Sequence, residues 1–251
     1  MKGPSSQRVA LVTGGAVRVG AAISLGLAKA GYDLVVTYRS SEGPARELEK
    51  RVGSLGRRCA LVWADLAEPR GCASVVRAAD DAYGRLDLVV NSAASFSSRP
   101  LEAVDAAAWD AVMAVNVRAP HLIVRAAADL LRAAKGAVVN IADLSALNPW
   151  VRYPDHSVSK AALVHLTKVQ ARALAPDVRV NAVAPGAVLR PEDQTEEEWD
   201  RLGEAAPLRR TGSPEDVVGA ILYLADAGFV TGQILAVDGG RSLGSTTAPR
   251  G

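Results

Sequence analysis

The sequence predicts an α/β fold, a doubly wound seven-stranded parallel sheet with helices on both faces, built as a single domain over residues 1–251. Three observations lead there. Short β-branched runs recur with helical stretches between them. Several runs are apolar throughout, which a strand tolerates only when helices cover it above and below. The composition, 49% hydrophobic, 22% charged and 4% aromatic, is too apolar for a disordered chain and suits an ordinary globular one.

In chain order the expected strands are Val9 to Thr13, Leu34 to Tyr38, Cys59 to Ala64, Leu86 to Asn91, Ala137 to Ile141, Arg179 to Ala182 and Ile234 to Val237. The first helix, from about Val19 to Ala30, stops at Gly31, a residue that accepts the left-handed conformation at which helices end. Further helices are expected over Pro44 to Val52, Cys72 to Tyr83, Trp109 to Ala134, Asp155 to Leu174 and Pro214 to Leu224, the last with Ser213 as N-cap and Pro214 at its first position. No linker divides the chain and no internal repeat is found. The acidic stretch 191–210 interrupts the alternation, and reads either as a substrate lid or as a solvated loop with one helical turn.

Lys and Arg total 29 against 27 for Asp and Glu, and a net charge of +2 gives little electrostatic reason to expect nucleic acid or a membrane surface as partner. A small molecule is the better expectation. Cys59 and Cys72 lie in no metal-ligand spacing, no metal is expected, and no apolar run reaches the roughly 18 residues of a membrane helix. The first seven residues carry no secretory signal, so a cytoplasmic location is expected.

The segment Thr13-Gly14-Gly15-Ala16-Val17-Arg18-Val19-Gly20 lies between the first strand and the first helix. Small residues there let backbone N–H groups approach a diphosphate, and the helix N-terminus adds partial positive charge. A dinucleotide fits such a turn. After the second strand, where NAD-binding domains place a carboxylate for the ribose 2′-OH, the chain reads Thr37-Tyr38-Arg39-Ser40-Ser41. The planar, permanently charged fork of Arg39 suits a 2′-phosphate, and Arg18 offers a second cation. The cofactor expected is therefore NADPH rather than NADH.

With these residues in hand the sequence resembles the short-chain dehydrogenase/reductase family, whose glycine turn reads T-G-x-x-x-G-x-G. Its other landmarks follow in order: Asp65-Leu66, Asn91-Ser92-Ala93-Ala94, Asn116, Lys160, Pro185-Gly186, Val230-Thr231-Gly232-Gln233 and Val237-Asp238-Gly239-Gly240. The resemblance implies a Rossmann-like fold. It also implies that Gly14, Arg18, Val19, Gly20, Tyr38, Arg39 and Ser40 hold the nucleotide, that Asp65 and Leu66 flank the adenine, that Asn91, Ser92 and Ala93 line the ribose side, and that Pro185, Gly186 and Val188 sit beside the nicotinamide. A homo-oligomer, dimer or tetramer, formed through the long helices is implied as well.

Carbonyl-reducing members carry a Ser and then Y-x-x-x-K, in which the lysine lowers the tyrosine pKa and grips the nicotinamide ribose. Here Asp143 stands at the Ser position and His156 at the Tyr position, four residues before Lys160; Ser145 is the nearest hydroxyl. Asp143, Arg18 at the middle glycine and Ala94-Ser95-Phe96 are together similar to the pteridine reductase branch, in which an aromatic ring at the position of Phe96 stacks a flat pterin on the nicotinamide. Phe96 is equally readable as a core residue under its loop. His156 and Lys160 share one helix face. A helix N-terminus and a lysine push an imidazole toward neutrality, whereas an adjacent Asp143 carboxylate would restore its proton, so an Asp143–His156 pair is expected to hold and pass one proton. Tyr153 is the second candidate donor, and Asn116 resembles the family's water-holding Asn that relays protons through Lys160. The function expected is an NADPH-dependent reductase of a C=N or C=O bond in a small planar substrate, pteridine reductase-like, with a 3-oxoacyl-type carbonyl reductase or a non-catalytic NADP-binding protein as alternatives.

Overall fold

The structure, a computed structural model, describes residues 7–192 and 194–243. Seven parallel strands form one sheet in the order β3-β2-β1-β4-β5-β6-β7, the doubly wound arrangement whose order reverses between β1 and β4. The strands are β1 (Val9–Thr13), β2 (Asp33–Tyr38), β3 (Cys59–Trp63), β4 (Leu88–Asn91), β5 (Ala137–Ile141), β6 (Arg179–Pro185) and β7 (Ile234–Val237). Thr13 pairs with Asn91, and Asn91 with Asn140, so three strand ends lie level at the carboxyl edge of the sheet.

Side-chain alternation feeds two cores. On one face Ala10, Val12, Leu34 and Val36 pack against Ile23 and Leu27 of α1 (Arg18–Lys29) and Val217 and Ile221 of α8 (Pro214–Asp226). On the other, Leu11, Val35, Val89 and Val138 meet Val75 and Ala79 of α3 (Pro69–Tyr83) and Ile123 and Leu131 of α5 (Ala119–Ala134). β1, β2 and β5 are buried almost throughout because both of their faces are covered, whereas β3, at the edge, is half-buried. Cys59 and Cys72 are free thiols, and burial pushes that of Cys59 up to about 12.

Several boundaries differ from expectation, each for a local reason. β4 starts at Leu88 rather than Leu86, since the Asp87 carboxylate takes the Val9 N–H at 2.8 Å and is itself held by Arg85. β6 runs on to Pro185, paired with Val237. α2 (Glu42–Ser54) begins two residues before Pro44, which falls where a helix N–H has no partner to lose. α3 begins at Pro69, well placed in a first turn.

The stretch expected as one helix from Trp109 to Ala134 is three segments: α4 (Ala106–Met113), a π-helical turn over Ala114–Arg118, and α5. Asp105 caps α4 by accepting the Ala108 N–H. Pro120, having no N–H to give, stands just after the wide turn. Residues 191–210 hold α7 (Glu196–Glu204), started by a capping box in which Thr195 and Glu198 bond each other's backbone N–H. α8 opens as expected on Ser213 and Pro214. Among the described residues no helix is long and apolar enough to cross a membrane.

Candidate active site

A cavity of about 530 Å³ opens at the carboxyl edge of the sheet, at the reversal between β1 and β4. The turn after β1 forms its floor. Gly14 adopts φ +61°, and a Cβ on Gly20 would fall 2.2 Å from the Gly14 carbonyl oxygen, so neither position admits a side chain. Thr13 Oγ1 accepts the Ser92 and Ala93 N–H groups at 3.0 Å each, and Thr37 Oγ1 accepts that of Gly14 at 3.0 Å, which locks the turn to the ends of β2 and β4. A bare backbone cradle of this kind at a helix start fits a diphosphate.

Arg18 is held at φ +52°, a conformation costly for a non-glycine residue, and its exposed side chain shares the cavity with Arg39. Val19, Tyr38 and Ser40 lie on the same wall. Asp65, Leu66, Ser92 and Ala93 line the same cavity. The predicted nucleotide residues are thus largely brought together. Three are not on this wall: Pro185 ends β6, Gly186 donates its N–H to Val237, and Val188 is packed in the core. Asn91 is also turned inward, donating to Asn140 Oδ1 at 2.8 Å, while Asn140 donates to Thr167.

Four elements converge around His156. Asp143 follows β5, and His156 and Lys160 lie on α6 (Pro154–Leu174). Asn116 comes from the π-helical turn and Ser95 from the loop after β4. His156 Nε2 is 2.5 Å from Asp143 Oδ2, so the expected pair is made. The other ring nitrogen, Nδ1, is 3.2 Å from the Ser95 carbonyl oxygen. A carbonyl can only accept, which keeps a proton on Nδ1 and leaves the Nε2–Asp143 proton as the one free to move. Asp143 Oδ1 accepts both the N–H and the hydroxyl of Ser145.

Burial raises the Asp143 carboxyl, but the His156 hydrogen bond and charge, with Lys160 and Ser145, outweigh it and hold the group below its usual range. Burial lowers the Lys160 amine, opposed by the Asp143 charge. Its Nζ donates to the Ile141 carbonyl at 2.7 Å. Asn116 is joined elsewhere than to Lys160: its Oδ1 accepts the Ser95 N–H at 2.7 Å, and its Nδ2 donates to the Ser95 carbonyl and to Ser159. It clamps the loop that touches the imidazole.

The imidazole itself is closed off. His156 has 3% of its side chain exposed and Asp143 has 17%, so the carboxylate is the more open member of the pair. Phe96 is 52% exposed and lines the cavity, which overturns its reading as a core residue. Its ring stacks on Tyr153 with centroids 4.4 Å apart and meets the His156 ring in a T-shaped contact with centroids 4.6 Å apart. Sequence reasoning named Ser95 only within the Ala94-Ser95-Phe96 run and missed the part its carbonyl plays, because a backbone group leaves no residue-type signal. It also missed Arg99, whose N–H bonds the Arg152 carbonyl and whose guanidinium lies 3.7 Å from buried Asp155, tying the loop to the start of α6.

Comparison with known proteins bears on the whole chain. A family profile described as enoyl-(acyl carrier protein) reductase matches residues 15–242. An uncharacterized oxidoreductase of Mycobacterium tuberculosis is 35% identical over 250 residues, covering 96% of this chain and 95% of that protein. Among solved structures, the FolM alternative dihydrofolate reductase 1 of Brucella suis in complex with NADP is similar with a TM-score of 0.90 at 33% identity, covering 96% of this chain and 97% of that one. A blue fluorescent protein from a metagenomic library, in complex with NADPH, reaches 0.86 at 33% identity, covering 93% and 97%.

Proposed function

We propose, from the premise that the chain belongs to the short-chain dehydrogenase/reductase family, that it is an NADPH-dependent reductase acting on a C=N or C=O bond of a small, planar, pterin-like substrate. The observation that carries this reading is the 2.5 Å contact of His156 with Asp143 in edge contact with Phe96, whose exposed ring shares a cavity with the glycine turn and Arg39.

The cradle at Gly14 and Gly20 would hold the diphosphate of NADPH, Arg39 and Arg18 the 2′-phosphate, Asp65 and Leu66 the adenine end, and Lys160 the nicotinamide ribose. Bound there, the cofactor supplies the hydride. The chain's own residues supply the proton. Asp143, the open member and ionised at rest, takes the proton that His156 holds on Nε2 and passes it to the substrate nitrogen or oxygen in the same step, while Nδ1–H stays on the Ser95 carbonyl. Each turnover leaves Asp143 ionised and His156 neutral, to be recharged from solvent. An ionised carboxylate also accepts the N–H donors along the edge of an amino-substituted heterocycle, donors that a simple ketone lacks. The same reading takes residues 191–210 as the lid of a single reductase domain, in a cytoplasmic homo-oligomer.

Following NADPH absorbance with dihydrobiopterin, dihydrofolate and a 3-oxoacyl thioester tests the proposal. Turnover is expected with a pterin. Turnover with the thioester alone makes the chain a carbonyl reductase, and tight NADPH binding with no turnover makes it a nucleotide-holding protein.

A further inference from the structure

Trp63 closes β3 at the edge of the sheet, opposite Tyr38 in register, and remains 62% exposed. Large apolar rings are usually buried, so an exposed one with a specific polar contact calls for a reason. Its indole Nε1 donates to the Arg39 carbonyl at 2.9 Å. The last backbone bond between these strands runs from the Ala64 N–H to the Tyr38 carbonyl at 3.0 Å. The indole therefore supplies one more rung after the ladder has ended, to the carbonyl of the residue that faces the cavity. The Arg39 side chain is held less firmly. It is 65% exposed, and its guanidinium stands 4.0 Å from Asp65, close enough for attraction and too far for a hydrogen bond.

We propose that Trp63 is a positioning residue for coenzyme choice: by holding the Arg39 carbonyl it fixes the base of the guanidinium at the cavity mouth, so that a ribose 2′-phosphate meets a partly ordered fork. The inference rests on the NADPH reading above. Ordering a mobile segment around a phosphate costs main-chain as well as side-chain entropy, and anchoring the Arg39 carbonyl removes part of the main-chain share.

Trp63→Phe keeps the ring and removes the donor. By titration calorimetry on the full chain, its Kd for NADP+ should rise about three- to tenfold, the range of one hydrogen bond, while its Kd for NAD+ stays within about twofold of the parent. In an Arg39→Ala background the same substitution should leave the Kd for NADP+ unchanged, since its route of action is gone. Trp63→Leu, likewise without the donor, must give the same split. Equal weakening of both nucleotides, or an effect that persists without Arg39, overturns the proposal. Arg39→Ala weakening NADP+ while Trp63→Phe does not rejects Trp63 alone and leaves the NADPH reading standing. Arg39→Ala without effect on the NADP+/NAD+ ratio removes both.

Discussion

The glycine-turn cavity and the Asp143–His156 cluster beside it are built by opposite means. The first is a matter of backbone: Gly14 and Gly20 are bare because a Cβ would collide, and Thr13 and Thr37 serve to pin main-chain N–H groups. The second is a matter of side chains, with Asp143, His156 and Asn116 brought from three segments onto one another and onto Ser95. A backbone cradle can change little without losing the fold around it. A side-chain cluster can exchange hydroxyl and phenol for carboxylate and imidazole while every strand keeps its place. The difference teaches where chemistry can diverge within a preserved scaffold.

Substitutions can break that contrast or sharpen it. The largest effect should come from His156→Phe, with turnover falling about 1,000-fold, the scale of a lost general acid, while the Kd for NADPH stays near the parent value. Stopped-flow turnover and calorimetry on one preparation check it, and equal losses in both would merge the two regions into one functional unit. Arg39→Asp should weaken NADPH about 30-fold, as expected for charge-assisted contacts, and NADH not at all. Gly20→Ala should lower unfolding free energy by about 2 kcal/mol, read from urea melts, because the Gly14 carbonyl cannot yield to a methyl without moving the turn. The smallest effect should be one of pH. The Asp143 carboxyl is held below its ordinary value of 3.8, so its contribution is complete above that value and is lost as pH falls through the depressed one. Wild type should therefore lose more stability than Asp143→Asn between pH 5 and the acid limit, in melts run as a pH series.

Much of the glycine-turn cavity was legible because it follows from local rules. A glycine turn directly after a β-branched run fixes where the cradle lies, and apolar runs on both faces fix the covered sheet. The Asp143–His156 pair was legible through the family resemblance, which sets the two residues at the Ser and Tyr positions ahead of Lys160. Other features depend on three-dimensional register. The bond from Trp63 to Arg39 joins the ends of two strands, Asn116 meets Ser95 from within the widened helical turn, and the closure of His156 comes with the ring of Phe96 packed against it. The helix within 191–210 did carry a local signal, Thr195 followed by Glu198, that an acidic composition masked.

The widened turn over Ala114–Arg118 holds one residue more than a regular helix needs for the same rise. Deleting a single residue there would let α4 run into α5 as one straight rod with a better hydrogen-bonded backbone. It would also carry the amide of Asn116 about 100° round the axis, the angle of one residue in an α-helix, and release the loop on which Ser95 and Phe96 sit. A length change that makes the scaffold more regular would thus disarm it, which gives insertions and deletions, and not only point substitutions, a part in shaping what this cavity can do.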